Sequence, residues 1–306
     1  MVRKEIYGYV AVISASSMWG IGGAVAKTLF NQDVSPFLLV KIRLLLSFVL
    51  LVGGLLVYNR RLLYIPRHEI FYFAKMGIIG MAMLQFFYFL TISLTNVATA
   101  VFLQYLAPVL IAIYAVLWEK MILSWQQKFA VVVATLGGLL IMISAGGTQG
   151  LTIAGVVSGL AAASASAFNT IYTRRAVQEY HPVTVVTYSC GFGALFWWIA
   201  MPLTGELGTI VPGQWLMLLY VVIFSTIIPF LLFYFSLRYL PATNASVTSS
   251  LEPVVAAVTA YLALGEKMGW LQIAGGALVL VAVMMLQCNA ASGAEVKQLE
   301  KNIQDV

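Results

Sequence analysis

Residues 85–94 read QFFYFLTISL and residues 231–237 read LLFYFSL, with Tyr88 and Tyr234 standing 146 positions apart. Neither stretch alternates apolar and polar residues, and each lies inside a longer apolar run, 71–92 and 214–236. Runs of that length fit a helix crossing a ~30 Å hydrocarbon core, which takes about 20 residues at ~1.5 Å each. A barrel strand would instead change character at every second residue. The offset recurs along the chain. Leu106-Ala107-Pro108-Val109 matches Leu251-Glu252-Pro253-Val254, Trp118-Glu119-Lys120-Met121 matches Gly265-Glu266-Lys267-Met268, and Ser35-Pro36 pairs with His181-Pro182.

Working outward, spanning runs cover 6–29, 37–57, 71–92, 97–117, 126–143, 152–173, 183–203, 214–236, 242–263 and 269–287, separated by turn residues such as Pro212-Gly213 and Pro241. Ten crossings consume nearly all of the 306 residues, of which 61% are hydrophobic and only 9% charged. A soluble domain carries about 25% charged residues, so a water-soluble fold and a soluble catalytic domain are both excluded. The expected fold is an all-α integral membrane protein. Its first half covers 1–147, its second half 148–288, and a polar tail 289–306, with Val296, Leu299, Ile303 and Val306 at helical spacing.

The net charge of +6 records orientation in the bilayer rather than nucleic-acid binding. With the N-terminus in the cytoplasm, Arg3, Lys4, Arg60, Arg61, Arg67, Lys75, Lys120, Lys128, Arg174, Arg175, Arg238, Lys297 and Lys301 fall inside. The outer loops hold only Lys267, while Lys27, Lys41 and Arg43 sit within the first two spans. Both termini are therefore expected in the cytoplasm. Five spans per half is an odd number, so the second half should lie upside down relative to the first, and charge agrees: the link after the second span carries Arg60 and Arg61, its second-half counterpart only Glu206. The first span could also be read as a signal peptide ending at Ala24-Val25-Ala26, but Ser14, Ser16 and Ser17 interrupt it and cleavage would spoil the repeat. Inverted repeats are a device of secondary transporters, with the substrate near the midplane between the halves.

Trp19-Gly20, Ser35-Pro36 with Arg43, Tyr88 to Leu94 and Ala98 to Pro108, together with 233–237, Ala242 to Ala245, 251–254 and 265–267, resemble the ten-helix EamA-like branch of the drug/metabolite transporter superfamily. The resemblance covers roughly 6–287. It implies a central cavity lined by the first, third, fourth, sixth, eighth and ninth spans, with the fifth and tenth outside, and export of small metabolites or amino acids in many relatives and uptake in some.

Candidate site residues follow from residue type within those spans. Rings and amides that could stack on and orient a small solute are Trp19, Gln85, Tyr88, Gln104, Tyr105, Phe168, Asn169, Tyr172, Tyr234 and Asn244. Each has a plain alternative as packing. Glu252 lies about ten residues into its span, ~15 Å deep, where a carboxylate is costly unless paired, hydrated or protonated. It is either a proton-coupling site or counter-charge, or a brace beside Pro253. Arg43, about two turns into the second span, is the deepest of three basic residues that either attract an anion or snorkel to the interface. One acid and one base together would suit a zwitterion such as an amino acid. Gly155 to Gly159 and Ala161 to Ala167 read as close helix packing, and Cys190 and Cys288 as packing thiols. His68 and His181 lack a nucleophile or acid partner, and neither a phosphate-binding loop nor metal-ligand spacing occurs, so no enzyme, cofactor or metal is expected. The reading is a secondary active carrier, an exporter, of a small organic solute, driven by an ion or solute gradient with protons a candidate, and with the bilayer as its other partner. A lipid-interacting scaffold is the alternative.

Overall fold

The structure, a computed structural model, describes residues 2–30, 32, 34–94, 97–144, 152–204, 210–255, 258–259, 269–271 and 273–285. The Lys27 side chain, Asp33, Glu206, Gly265 to Met268, Cys288 and the tail 289–306 lie outside the described residues. The described residues are helices and turns, with no strand among them. Helix α1 is Val2–Phe30 and α2 is Pro36–Tyr58. The third span is α3 (Ile70–Lys75), a π-helical segment Met76–Met83, and α4 (Leu84–Leu94). The fourth is α5 (Val97–Gln104) and α6 (Ala107–Leu117), followed by α7 (Trp125–Ser144), α8 (Ile153–Glu179) and α9 (Pro182–Thr204). Next come α10 (Trp215–Val222), a second π segment Ile223–Ile227, α11 (Ile228–Leu237), α12 (Ala242–Ser249) and α13 (Ile273–Met285).

Local chemistry sets these ends. Pro36 opens α2 with its φ already helical and no N–H to leave unpaired. At the other end Asn59 leaves helical geometry at φ −159°, and its side chain accepts the Arg61 N–H to start a short 3-10 turn. Thr152 caps α8 by accepting the Gly155 N–H at 3.0 Å.

Among the described residues seven helices are long and apolar enough to cross a membrane: Phe37–Tyr58, Arg67–Thr91, Ala100–Leu117, Trp125–Ser144, Ile153–Glu179, Pro182–Ala200 and Pro212–Leu237. The chain is an all-helical membrane protein. Helix α1, at 29 residues, is also long enough to cross. Of the expected ninth span 242–263, residues 256–257 and 260–263 fall beyond the described residues. Apolar side chains that a soluble protein would hide stand exposed, among them Ile122 (97%), Val57 (91%) and Ile153 (86%), as expected of a lipid-facing surface.

The main core gathers Leu44 of α2, Phe73, Met76 and Met81 of the third span, Val186 and Cys190 of α9, and Phe233 and Tyr234 of α11. Cys190 is a fully buried packing thiol. Small residues let backbones approach. A side chain at Gly159 would run into Leu103, and one at Gly137 of α7 would meet the Gly275 carbonyl of α13 at 2.6 Å, with the converse also true. Gly137→Leu should therefore force these helices apart, at a cost of roughly 1–3 kcal/mol. The measurement is thermal unfolding of the purified protein, where Gly53→Leu, at a position with open space around it, serves as the control and leaves the midpoint unchanged.

Candidate functional site

Two helices break at matching prolines. In the ninth span α12 ends at Ser249, and the chain turns through Ser250 and Leu251 before helix resumes at Glu252. Pro253 has no N–H, so the carbonyl of Ser249, four residues earlier, lacks its helical donor. The fourth span breaks in the corresponding place, between Gln104 and Ala107 just before Pro108, and the turn puts Tyr105 out of the helix. The Tyr105 hydroxyl reaches both features of the other break. It lies 3.2 Å from the Ser249 carbonyl oxygen and 2.6 Å from Glu252 Oε2. The single phenol proton is shared between them, the shorter contact going to the half-buried acid and the longer to the orphaned carbonyl.

Arg43 is the opposite charge. Only 7% of it is exposed, its Nε donates to Thr226 Oγ1 at 3.0 Å, and its Nη2 donates to the Ser225 carbonyl at 3.2 Å. Both acceptors belong to the π segment Ile223–Ile227, where Thr226 in turn bonds the Val221 carbonyl at 2.9 Å. The wider π turn frees backbone groups that an α-helix would use internally. The Tyr88 hydroxyl stands within Coulombic range of both Glu252 and Arg43. Among the described residues the ion pair found is His68 with Glu69 at 3.6 Å, so neither Glu252 nor Arg43 has an oppositely charged side chain in contact there. Lys41, grouped with Arg43 by position in the sequence, lies over the Trp198 ring at 4.2 Å instead.

The remaining candidates divide. Trp19 packs against Phe230 and Phe233 with centroids 5.1 and 5.6 Å apart, and Phe230 meets Tyr234 edge-on. Tyr234 is fully buried and donates to Asn169 Oδ1 at 3.0 Å, within a closed part of the core. Phe168 stacks on Tyr172 at 3.9 Å, and Tyr172 stacks on Tyr72. Gln85 is buried and Gln104 half-buried. Asn244 belongs to a separate bridge: it accepts from Gln127 Nε2 and donates to the Tyr9 hydroxyl, both at 2.9 Å. Sequence reading missed Tyr9, Tyr72, Gln127, Ser225 and Thr226. Gln127 is a polar residue opening an apolar run, a visible signal, whereas Ser225 and Thr226 matter because of a π turn that residue type does not announce.

A cavity of about 560 Å³ opens at the end of the bundle where Arg174, Arg175 and Arg238 gather. Glu5, Glu119, Gln127, Gln178, Ala242 and Thr243 also line it, but none of the twelve residues chosen from sequence does. Near Arg238, burial first and the arginine's charge second lower the His181 pKa below its ordinary value, so the imidazole adds no positive charge there at neutral pH.

The chain matches the EamA-like transporter family twice, over residues 6–143 and 153–287. It belongs to that family. It is 28% identical over 294 residues to an uncharacterized inner membrane transporter, YicL, of Salmonella typhimurium, covering 92% of this chain and 96% of the relative. It is 23% identical over 297 residues to the threonine/homoserine exporter RhtA of Escherichia coli, covering 96% and 95%. A crystal structure of 19% identity shares the fold, with a TM-score of 0.79 over 93% of this chain and 98% of the other. Family and relatives are transporters, which puts this chain among membrane carriers of small molecules in the cell membrane. The EamA membership expected from the motifs is thereby met.

Proposed function

We propose that the protein is a secondary active exporter of a small zwitterionic solute, an amino acid or a near relative, working by alternating access between two inverted five-helix repeats. The observation carrying this reading is an acid and a base, Glu252 and Arg43, neither of which has an oppositely charged partner among the described residues, with Tyr88 in Coulombic range of both. Glu252 would receive the ammonium and Arg43 the carboxylate of one solute, since the guanidinium has five donors and the Thr226 and Ser225 contacts engage two. Tyr88 and Trp19 would flank the carbon skeleton. The name of the RhtA relative supports this solute class. The repeat reading draws support from the two π segments and the two Pro breaks, which occupy matching places in the two halves.

Coupling follows from the same acid. Glu252 can neutralise its charge with a proton or with the solute's ammonium, and one carboxylate serves only one of them at a time. Proton arrival from outside would thus displace solute outward, and return of the proton inside would reset the site. Tyr105 keeps the carboxyl in place in either state. The direct test is flux in proteoliposomes: saturable L-threonine counterflow, competed by homoserine and not by analogues lacking either charge, supports the reading, and its absence across an amino-acid panel defeats it.

The basic end of the bundle is assigned to the cytoplasm. In a variant lacking Cys190 and Cys288, Arg67→Cys, at an exposed position in the turn before α3, should stay unlabelled by an impermeant thiol reagent added to intact cells and label after permeabilisation. Labelling in intact cells would reverse the orientation.

A further inference from the structure

The cavity at the basic end holds five charged side chains whose origin is divided. Glu5 of α1 and Glu119, just after α6, come from the first half of the chain. Arg174 and Arg175 of α8 and Arg238, at the end of α11, come from the second. No ion pair joins the two sets among the described residues. Arg175 instead stands over the Tyr72 ring at 6.0 Å. Arg174 lines the cavity, and its buried Nε finds no acceptor among the described residues. The volume of about 560 Å³ falls in the range of small-molecule sites.

We propose that this cavity is a second solute site, an antechamber that takes a small zwitterion with its carboxylate on Arg174 and its ammonium toward Glu5 and Glu119. The proposal rests on the transport reading and adds a place where solute binds before the central site. Ala242 and Thr243 line the cavity, Asn244 follows in the Gln127–Asn244–Tyr9 bridge, and Glu252 lies eight residues further along the span, ~12 Å deeper at helical rise. Gln127 itself lines the cavity and bonds Asn244, so the bridge borders the cavity. Charge complementarity selects the ligand. A zwitterion meets both sets of charges, as it would at Arg43 and Glu252, whereas a lone anion such as phosphate or a lipid headgroup would satisfy Arg174 while facing two carboxylates.

The experiment places a single cysteine at Ala242 in a protein lacking Cys190 and Cys288 and follows its alkylation by a maleimide in detergent. The probes are L-threonine, 2-hydroxybutyrate, which lacks the ammonium, inorganic phosphate, and phosphatidylglycerol micelles. L-Threonine should slow labelling by about tenfold at ten times its dissociation constant. Hydroxybutyrate should protect less, and phosphate and the lipid not at all. Protection should persist with Glu252→Gln added, vanish with Arg174→Gln, and return in part with Arg174→Lys. Glu5→Gln, at a half-buried helix end where misfolding is no concern, should weaken protection by threonine but not by hydroxybutyrate. The proposal is overturned if threonine gives no protection, if phosphate or lipid protects equally well, or if Glu252→Gln removes protection while Arg174→Gln leaves it. Failure of the transport reading would show separately, as absent threonine counterflow by the unsubstituted protein.

Discussion

Glu252→Gln is expected to uncouple the carrier from the proton gradient. Glutamine keeps a carbonyl oxygen for the Tyr105 hydroxyl, now 2.6 Å from Glu252 Oε2, so the contact between the two helix breaks survives and the protein should fold. What disappears is a group that can gain and lose a proton. Accumulation of solute in response to an imposed pH gradient should fall to the background of empty liposomes, while exchange of pre-loaded solute continues with KM raised roughly tenfold, about the 1.4 kcal/mol expected on replacing a charged acceptor by a neutral one. Gradient-driven accumulation by this variant would remove Glu252 from the coupling role. Loss of both exchange and thermal stability would favour the brace reading, in which the carboxylate serves Tyr105 and the break at Pro253.

Arg43→Gln should cost more in binding than any other single change at the centre. The guanidinium is nearly fully buried, and each charge-assisted bond it would make to a carboxylate is worth ~1.5–3 kcal/mol, so binding should weaken roughly 10–100-fold. Arg43→Lys keeps the charge but not the fork that engages Thr226 and Ser225 together, and should recover only part of the loss. Thr226→Val separates site from scaffold. It removes the Nε acceptor and the bond to the Val221 carbonyl, and should lower the unfolding midpoint while leaving selectivity for zwitterions over single-charge analogues unchanged. Equal affinity of Arg43→Gln and the unsubstituted protein for L-threonine would show that the arginine is structural.

Much of this was legible in the residues. The apolar runs announced a helical membrane protein because a bilayer satisfies backbone groups only within helices or closed barrels, and the runs did not alternate. Glu252 stood out as an acid deep in an apolar span, and the paired Leu-x-Pro-Val motifs marked the two places where a missing N–H breaks a helix. The ring and amide candidates were less separable, since Tyr88, Tyr234 and Phe168 are alike in residue type and span assignment. The structure distinguished them: Tyr88 lies within Coulombic range of both Glu252 and Arg43, Tyr234 is sealed against Asn169, and Phe168 stacks on Tyr172.

The sequence by itself determined the helical membrane class, the doubled family match and the presence of an acid, Glu252, in apolar surroundings. These depend on local hydrophobicity and on the chemistry of single residues, which a linear reading contains. The tertiary structure decided which groups meet. Tyr105 finds Glu252 across 147 positions, Arg43 finds Thr226 across 183, and Gln127 finds Asn244 across 117. Such pairings depend on the rotation and depth at which whole helices pack, and on π turns that shift register by a fraction of a turn without any sequence mark. In apolar surroundings nearly every face of a helix is hydrophobic, so the pattern that orients a helix in water is absent, and only close contacts such as Gly137 against Gly275 choose which side faces inward.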